Sequence, residues 1–153
     1  MVEYKLKSTD QMKKIMGEYF HSLETGKNKI AWCTSVGPAE LLRSFGFEVY
    51  FPENHGALLG ATRTAMDYIP EAIKCGYSGH VCSYTTADIG SYLKKQSPLK
   101  SHYGMKGCPK PDIIIYNTNQ CREVEDWFTF FSNEFNCPIL GIHPPRHLDE
   151  VSE

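Results

Sequence analysis

The sequence lacks the features that would suggest a membrane or a nucleic acid as partner. No apolar run approaches the length of a membrane span, and a net charge of -2 leaves no overall positive charge for binding phosphate backbones. Residues 1–7 also lack the hydrophobic stretch of a signal peptide. We therefore expect a cytoplasmic protein that binds neither membranes nor nucleic acids.

Nucleotide-binding loops and closely spaced cysteine pairs are absent as well. Neither a Walker-type loop nor a GxGxxG motif occurs, so direct binding of ATP or NAD has no support. The absence of a CxxC pair argues against a zinc ribbon or a thioredoxin-type site. Six cysteines are nevertheless present: Cys33, Cys75, Cys82, Cys108, Cys121 and Cys137. Without a signal peptide they are better interpreted as thiols or metal ligands than as disulfides, and any metal centre must draw its ligands from distant loops.

Short apolar runs alternate with helical patterns along the chain. We predict strands at 29–35, 47–51, 112–116 and 138–142, and helices at 8–23, 38–46, 57–61, 64–75, 83–95 and after 117–119. A kink or break is expected before Pro70, and residues 96–110 are predicted to be a loop. The 153 residues fit one domain. The prediction is therefore a single α/β domain over 1–153, with a doubly wound, mostly parallel sheet of four or slightly more strands. Helices on both faces would make it Rossmann-like or flavodoxin-like.

Two of the cysteines fall where ligands of such sheets are usually found. Cys121 follows the strand at 112–116 and begins the next helix, and Cys82 immediately precedes another helix. Unpaired N–H groups and the helix dipole at these positions favour a thiolate. We interpret Cys33, Cys75 and Cys137 as mainly structural. For every one of the six, a small buried apolar side chain remains the alternative interpretation.

Other polar residues near the predicted strand ends are candidates for catalysis, each with a simpler alternative. Glu40 could contact substrate or interact only with its helix dipole. Ser35 could bind substrate, and His80 could donate a proton or be an ordinary loop histidine. Ser83 could contact cluster sulfur or simply cap its helix. Asp88, on the helix after Cys82, is expected to be solvated.

Three segments of the chain resemble the 2-hydroxyacyl-CoA dehydratase and benzoyl-CoA reductase family. Residues 76–90 (GYSGHVCSYTTADIG) are similar to its Cys-Ser-Tyr motif, although Thr86 stands where an Arg is common. Residues 117–121 (NTNQC), followed by Trp127-Phe128, look like its second cysteine motif, and residues 34–47 (TSVGPAELLRSFGF) resemble its early segment. The matches occur in the family's order and cover roughly residues 29–145.

The resemblance implies a [4Fe–4S] cluster bound by three cysteines of one subunit. Cys82 and Cys121 match two of these ligands, with Ser83 beside the cluster. The family's third cysteine lies in a C-terminal domain, so this chain is expected to be the N-terminal cluster-binding domain of a longer architecture. Cys33 and Cys108 are the candidates for a substitute ligand, although Cys108 could also be an exposed bystander in its Gly/Pro loop.

The resemblance also implies the chemistry and the partners. Family members add one electron to an acyl-CoA thioester to form a ketyl radical, and they depend on a companion catalytic subunit and an ATP-hydrolysing iron–sulfur activator. The isolated chain is therefore expected to be inactive. Two alternatives stay open: a non-catalytic companion subunit without a cluster, and a double-cubane-type reductase of small molecules. The acyl group, and the choice between dehydration and reduction, stay open as well.

Overall fold

The computed structural model describes residues 7–144. Its seven helices are α1 (Lys7–Thr25), α2 (Ala39–Ser44), α3 (Pro52–Ala61), α4 (Ala65–Lys74), α5 (Ser83–Lys94), α6 (Leu99–Tyr103) and α7 (Arg122–Phe135). Its four strands are β1 (Ile30–Cys33), β2 (Glu48–Tyr50), β3 (Ile113–Asn117) and β4 (Ile139–Ile142). None of the helices in this part of the chain is long and apolar enough to cross a membrane.

The strands form one parallel sheet in the order β2-β1-β3-β4. Ala31 pairs with Val49 on one side of β1, and Trp32 pairs with Ile114 on the other. Because every pair is parallel, all four strands end at the same edge of the sheet. The direction of strand progression reverses between β1 and β3, which is where ligands bind in folds of this type. The predicted α/β architecture is confirmed.

Both faces of the sheet are buried because successive strand residues point to opposite sides. Trp32 joins the larger core cluster together with Phe128 and Phe131 of α7. Its neighbours Ala31 and Cys33 join the other cluster, which packs below α2. The sheet therefore fixes where the loops after β1, β2 and β3 meet.

Several predicted boundaries were wrong. Helix α3 begins at Pro52 rather than at residue 57, because a proline in the first helical turn loses no hydrogen bond there. Helix α4 runs through Pro70 without the predicted break. The short helix α6, which begins at Leu99, lies within the segment 96–110 that was predicted to be a loop.

The start of the two cysteine-bearing helices also differs from the prediction. Ser83 does not cap α5: it is the first helical residue, and Cys82 is the N-cap. The N-cap of α7 is Cys121 rather than a residue of the 117–119 segment. Each shift places a cysteine at the entrance to a helix.

Close packing of α4 against α5 depends on Gly90. A Cβ atom at this position would overlap the backbone carbonyl of Tyr68, which cannot move aside as a flexible side chain would. Gly90→Ala should therefore lower the free energy of unfolding by about 1–3 kcal/mol. The matched control is Gly17→Ala in α1, where nothing lies within 4 Å of the added Cβ; it should raise stability by about 0.5–1 kcal/mol. Urea denaturation of both variants checks this, and equal effects would contradict the close helix crossing.

Candidate functional site

Cys82 and Cys121 occupy the same local position in two different helices. Each is the N-cap of its helix, and neither forms a side-chain capping hydrogen bond. Both thiols belong to exposed residues. The first-turn amides and the helix dipole create a favourable setting for negatively charged sulfur at such positions. Thr86, at the position where the family often has Arg, is buried and donates its hydroxyl hydrogen bond to the Cys82 carbonyl at 3.2 Å.

Glu53, in the first turn of α3, links the loop after β1 to the residue before Cys121. The backbone N–H of Ser35 donates a hydrogen bond to Glu53 Oε2. Gln120 Nε2 donates to Glu53 Oε1 at 3.1 Å. Glu53 is half-buried and follows β2 directly. The ends of β1, β2 and β3 therefore meet around one carboxylate at the carboxyl edge of the sheet.

The first turn of α5 also contacts α3. A Cβ atom added at Gly56 would lie 3.0 Å from Cβ of Tyr84, so the two backbones are close. Tyr84 lies two residues after Cys82, and Gly56 lies three residues after Glu53. The N-terminal part of α3 thus contacts a residue next to Cys121 on one side and a residue close to Cys82 on the other.

A buried carboxylate fastens these three helices together below the sheet edge. Asp88 on α5 accepts a hydrogen bond from His55 on α3 and another, at 2.8 Å, from the indole Nε1–H of Trp127 on α7. The side chains of Asp88 and His55 are each 3% exposed. The prediction that Asp88 is solvated was therefore wrong. A carboxylate buried at this depth needs donors on both oxygens, and it finds them on two different helices.

A polar cleft of about 290 Å³ opens beside Cys121. Its lining includes Asn117, Arg122 and Glu125. Asn117 Nδ2 donates to the Val36 carbonyl at 3.2 Å, which ties the loop after β3 to the loop after β1. The cleft lies at the carboxyl edge where parallel α/β sheets bind their ligands.

The remaining predicted site residues are more peripheral. Glu40 is exposed in the first turn of α2, and His80 is exposed in the loop before Cys82. Within residues 7–144, no side-chain hydrogen bond joins either of them to Glu53. Ser35 is exposed and reaches the site through its backbone, and Ser83 is exposed next to Cys82.

Cys33 and Cys108 are poorly suited to be substitute ligands. Cys33 is fully buried in β1, where burial and the nearby Glu53 raise the pKa of its thiol to about 12. Burial and the nearby Asp88 raise the pKa of the Cys108 thiol to about 12 as well. Cys108 packs against the main core, so the expectation of an exposed bystander was wrong. In the part of the chain that the structure describes, no group of three or more His, Cys, Asp or Glu side chains is arranged to hold a metal ion.

These environments predict two classes of thiol reactivity. At about pH 8, iodoacetamide should alkylate the exposed Cys75, Cys82 and Cys121 at least about 100-fold faster than Cys33 and Cys108, because only the thiolate reacts. A raised pKa keeps the two buried thiols protonated, so their rates should grow as the pH approaches about 12. Mass spectrometry of digests over time measures each rate. Alkylation of Cys33 as fast as that of Cys75 in the folded protein would contradict this assignment.

Sequence reasoning missed Glu53 and His55. The signal for Glu53 was present, since Pro52 follows a predicted strand and typically opens a helix at the ligand-binding edge. No local signal marks His55. Its partner Asp88 lies 33 residues away in the sequence.

Comparison with known proteins agrees with the resemblance. A profile of the family described as "2-hydroxyglutaryl-CoA dehydratase, D-component" matches residues 34–153. The alpha subunit of (R)-2-hydroxyisocaproyl-CoA dehydratase from Clostridioides difficile is 29% identical over 88% of this chain and 31% of its own length. The alpha subunit of lactoyl-CoA dehydratase from Anaerotignum propionicum is 29% identical over 81% and 32%. A benzoyl-CoA reductase subunit from Thauera aromatica is 25% identical over 82% and 28%.

The chain spans about a third of the length of these curated relatives. The profile match covers the loop after β1, the helices that begin at Cys82 and Cys121, and all of α3. The chain therefore belongs to the 2-hydroxyglutaryl-CoA dehydratase D-component family.

Proposed function

We propose that this chain supplies two cysteine ligands, Cys82 and Cys121, to a [4Fe–4S] cluster of an enzyme that acts on an acyl-CoA thioester. The observation that carries this proposal is the pair of exposed thiols at the N-caps of α5 and α7. Contacts of both helix starts with the first turns of α3 support their convergence. The family membership supports the substrate class, either a 2-hydroxyacyl-CoA or benzoyl-CoA.

The donor set fits such a cluster in part. Two thiols without capping hydrogen bonds, each beside a helix N-terminus, are suitable for an anionic iron–sulfur group. A bound cluster would supply a single low-potential electron. The third cysteine ligand must come from outside residues 7–144, since Cys33 and Cys108 are buried with raised pKa values.

Glu53 and Ser35 are the residues we propose to act on the substrate. The Glu53 carboxylate lies at the sheet edge and is held by two donors, so it can orient a substrate hydroxyl or exchange a proton with it. The exposed Ser35 hydroxyl is suited to bind a polar substrate atom beside it. Glu40 and His80 remain weaker candidates because they lie apart from this carboxylate.

A companion polypeptide is part of the proposal. The relatives are named as individual subunits of their enzymes, two of them as alpha subunits. Helix α1 presents Met12 and Ile15 to solvent, 65% and 55% exposed, and the edge strand β4 presents Leu140 at 51%. Apolar side chains exposed along a helix and a sheet edge favour contact with a second chain or domain. We further propose that an ATP-hydrolysing iron–sulfur activator delivers the electron.

Convergence of the two thiols can be tested without a cluster. Dibromobimane becomes strongly fluorescent when it links two thiols that lie within a few ångströms of each other. The cysteine ligands of one cluster must lie this close, so the anaerobic wild-type chain should give the fluorescent product between Cys82 and Cys121. Cys75→Ala is the control, because Cys75 is exposed at the far end of α4 and should not matter.

The single variants Cys82→Ala and Cys121→Ala should both lose this fluorescence. A digest should then show one cross-linked peptide pair that contains residues 82 and 121. A wild-type protein in which both thiols react singly, with no cross-link, would refute the shared site.

A further inference from the structure

A second set of polar side chains lies away from the cysteine site. Asp88 accepts a hydrogen bond from His55 Nδ1, and His55 Nε2 lies 2.8 Å from Ser97 Oγ. Trp127 Nε1–H holds the other Asp88 oxygen at 2.8 Å. We call Ser97, His55 and Asp88 the relay. Carboxylate, imidazole and hydroxyl in this order are the arrangement that activates a serine as a nucleophile.

The hydrogen bonds assign the protons of the relay. An ionised carboxylate only accepts, so a neutral His55 carries its proton on Nδ1 and leaves Nε2 free to accept the Ser97 hydroxyl proton. The Leu99 N–H donates to Ser97 Oγ at 3.1 Å and occupies one oxygen lone pair. The second lone pair remains for a bond to carbon.

All three residues of the relay line one cavity of about 280 Å³. Tyr92 and Phe135 give it aromatic walls, and Lys95 and Lys106 add positive charge. Ser97 is half-buried, so a small molecule in the cavity can reach its hydroxyl. The volume suits a small acyl group, and the two lysines favour a donor whose leaving group is anionic. Their charge also stabilises negative charge that develops on a carbonyl oxygen.

We infer that Ser97 is a nucleophile that accepts a small acyl group from an ester or thioester with an anionic leaving group. Its Oγ forms a bond to the carbonyl carbon while His55 Nε2 takes the hydroxyl proton. The bond from that carbon to the leaving oxygen or sulfur then breaks, and His55 returns the proton to the leaving group. Water, deprotonated by the same imidazole, releases the carboxylic acid and restores Ser97. This activity is independent of any cluster at Cys82 and Cys121.

A fluorophosphonate probe tests the nucleophile in the full chain. Ser97 should displace fluoride and retain the phosphonyl group on the tryptic peptide 96–100. Ser101 is the internal control, because its exposed hydroxyl donates only to the Pro98 carbonyl and falls on the separate peptide 101–106. Labelling of Ser97 should be at least about 100-fold faster than labelling of Ser101, the acceleration expected of a positioned base.

Variants and an acyl donor complete the test. Asp88→Asn, provided that circular dichroism shows it folded, should slow Ser97 labelling at least about 10-fold. Ser97→Ala should release free CoA from acetyl-CoA at least about 10-fold more slowly than the wild type. Labelling of Ser97 no faster than Ser101 in the wild-type chain would overturn the inference, whether or not Asp88→Asn folds. Equal CoA release by the wild type and Ser97→Ala would overturn it too.

Discussion

Asp88→Ala should lower the free energy of unfolding by about 3–5 kcal/mol, the cost of removing one partner from a buried charged pair. The substitution leaves His55 Nδ1 and Trp127 Nε1 without their acceptor in the protein interior. It also removes a side chain that binds α5 to both α3 and α7. Because a domain of this kind has about 5–15 kcal/mol of stability in total, the variant should be close to unfolding.

Urea denaturation followed by circular dichroism measures this loss. The control is Asp126→Ala on α7, whose carboxylate is 59% exposed and forms only a 3.5 Å surface pair with Arg122. An exposed pair of this kind contributes about 0–1 kcal/mol, so the control should be nearly neutral. Similar small losses in both variants would show that Asp88 is not the buried link between these helices.

The fold could be predicted from the sequence because its strands carry their own signal. The run Ile113 to Ile115 is apolar throughout, as a strand covered on both faces must be. Gly46 and Gly76, which were expected to end helices, both adopt the positive φ that favours glycine, +81° and +101°. Boundaries that depend on tertiary contacts were missed, including the start of α3 at Pro52.

The candidate site could be predicted only where its residues lie beside a recognisable helix start. Cys82 and Cys121 were selected for that reason, and the structure gives both the N-cap position. Asp88 was misjudged because its environment is made by residues 33 and 39 positions away. An acidic side chain on a helix is usually solvated, and only the assembled fold brings His55 and Trp127 to it.

Loss of either helix-cap cysteine should abolish cluster binding. Two protein ligands alone hold a cluster weakly, so we expect the chain to retain one only when an external thiol occupies the open coordination positions. Reconstitution should therefore contain iron, sulfide and an excess of 2-mercaptoethanol under anaerobic conditions. Retention should disappear on gel filtration without the thiol, because the third protein ligand lies outside the described residues.

The most direct measurement is the iron and acid-labile sulfide content of the reconstituted chain in the presence of that thiol. The wild type and Cys75→Ala should each hold about four iron and four sulfide ions per bound cluster, with the electron paramagnetic resonance signal of a reduced [4Fe–4S] group. Cys82→Ala, Cys121→Ala and the double variant should hold none above the level of adventitious iron. If the double variant retains the same iron, sulfide and resonance signal as the wild type, Cys82 and Cys121 are not the cluster ligands.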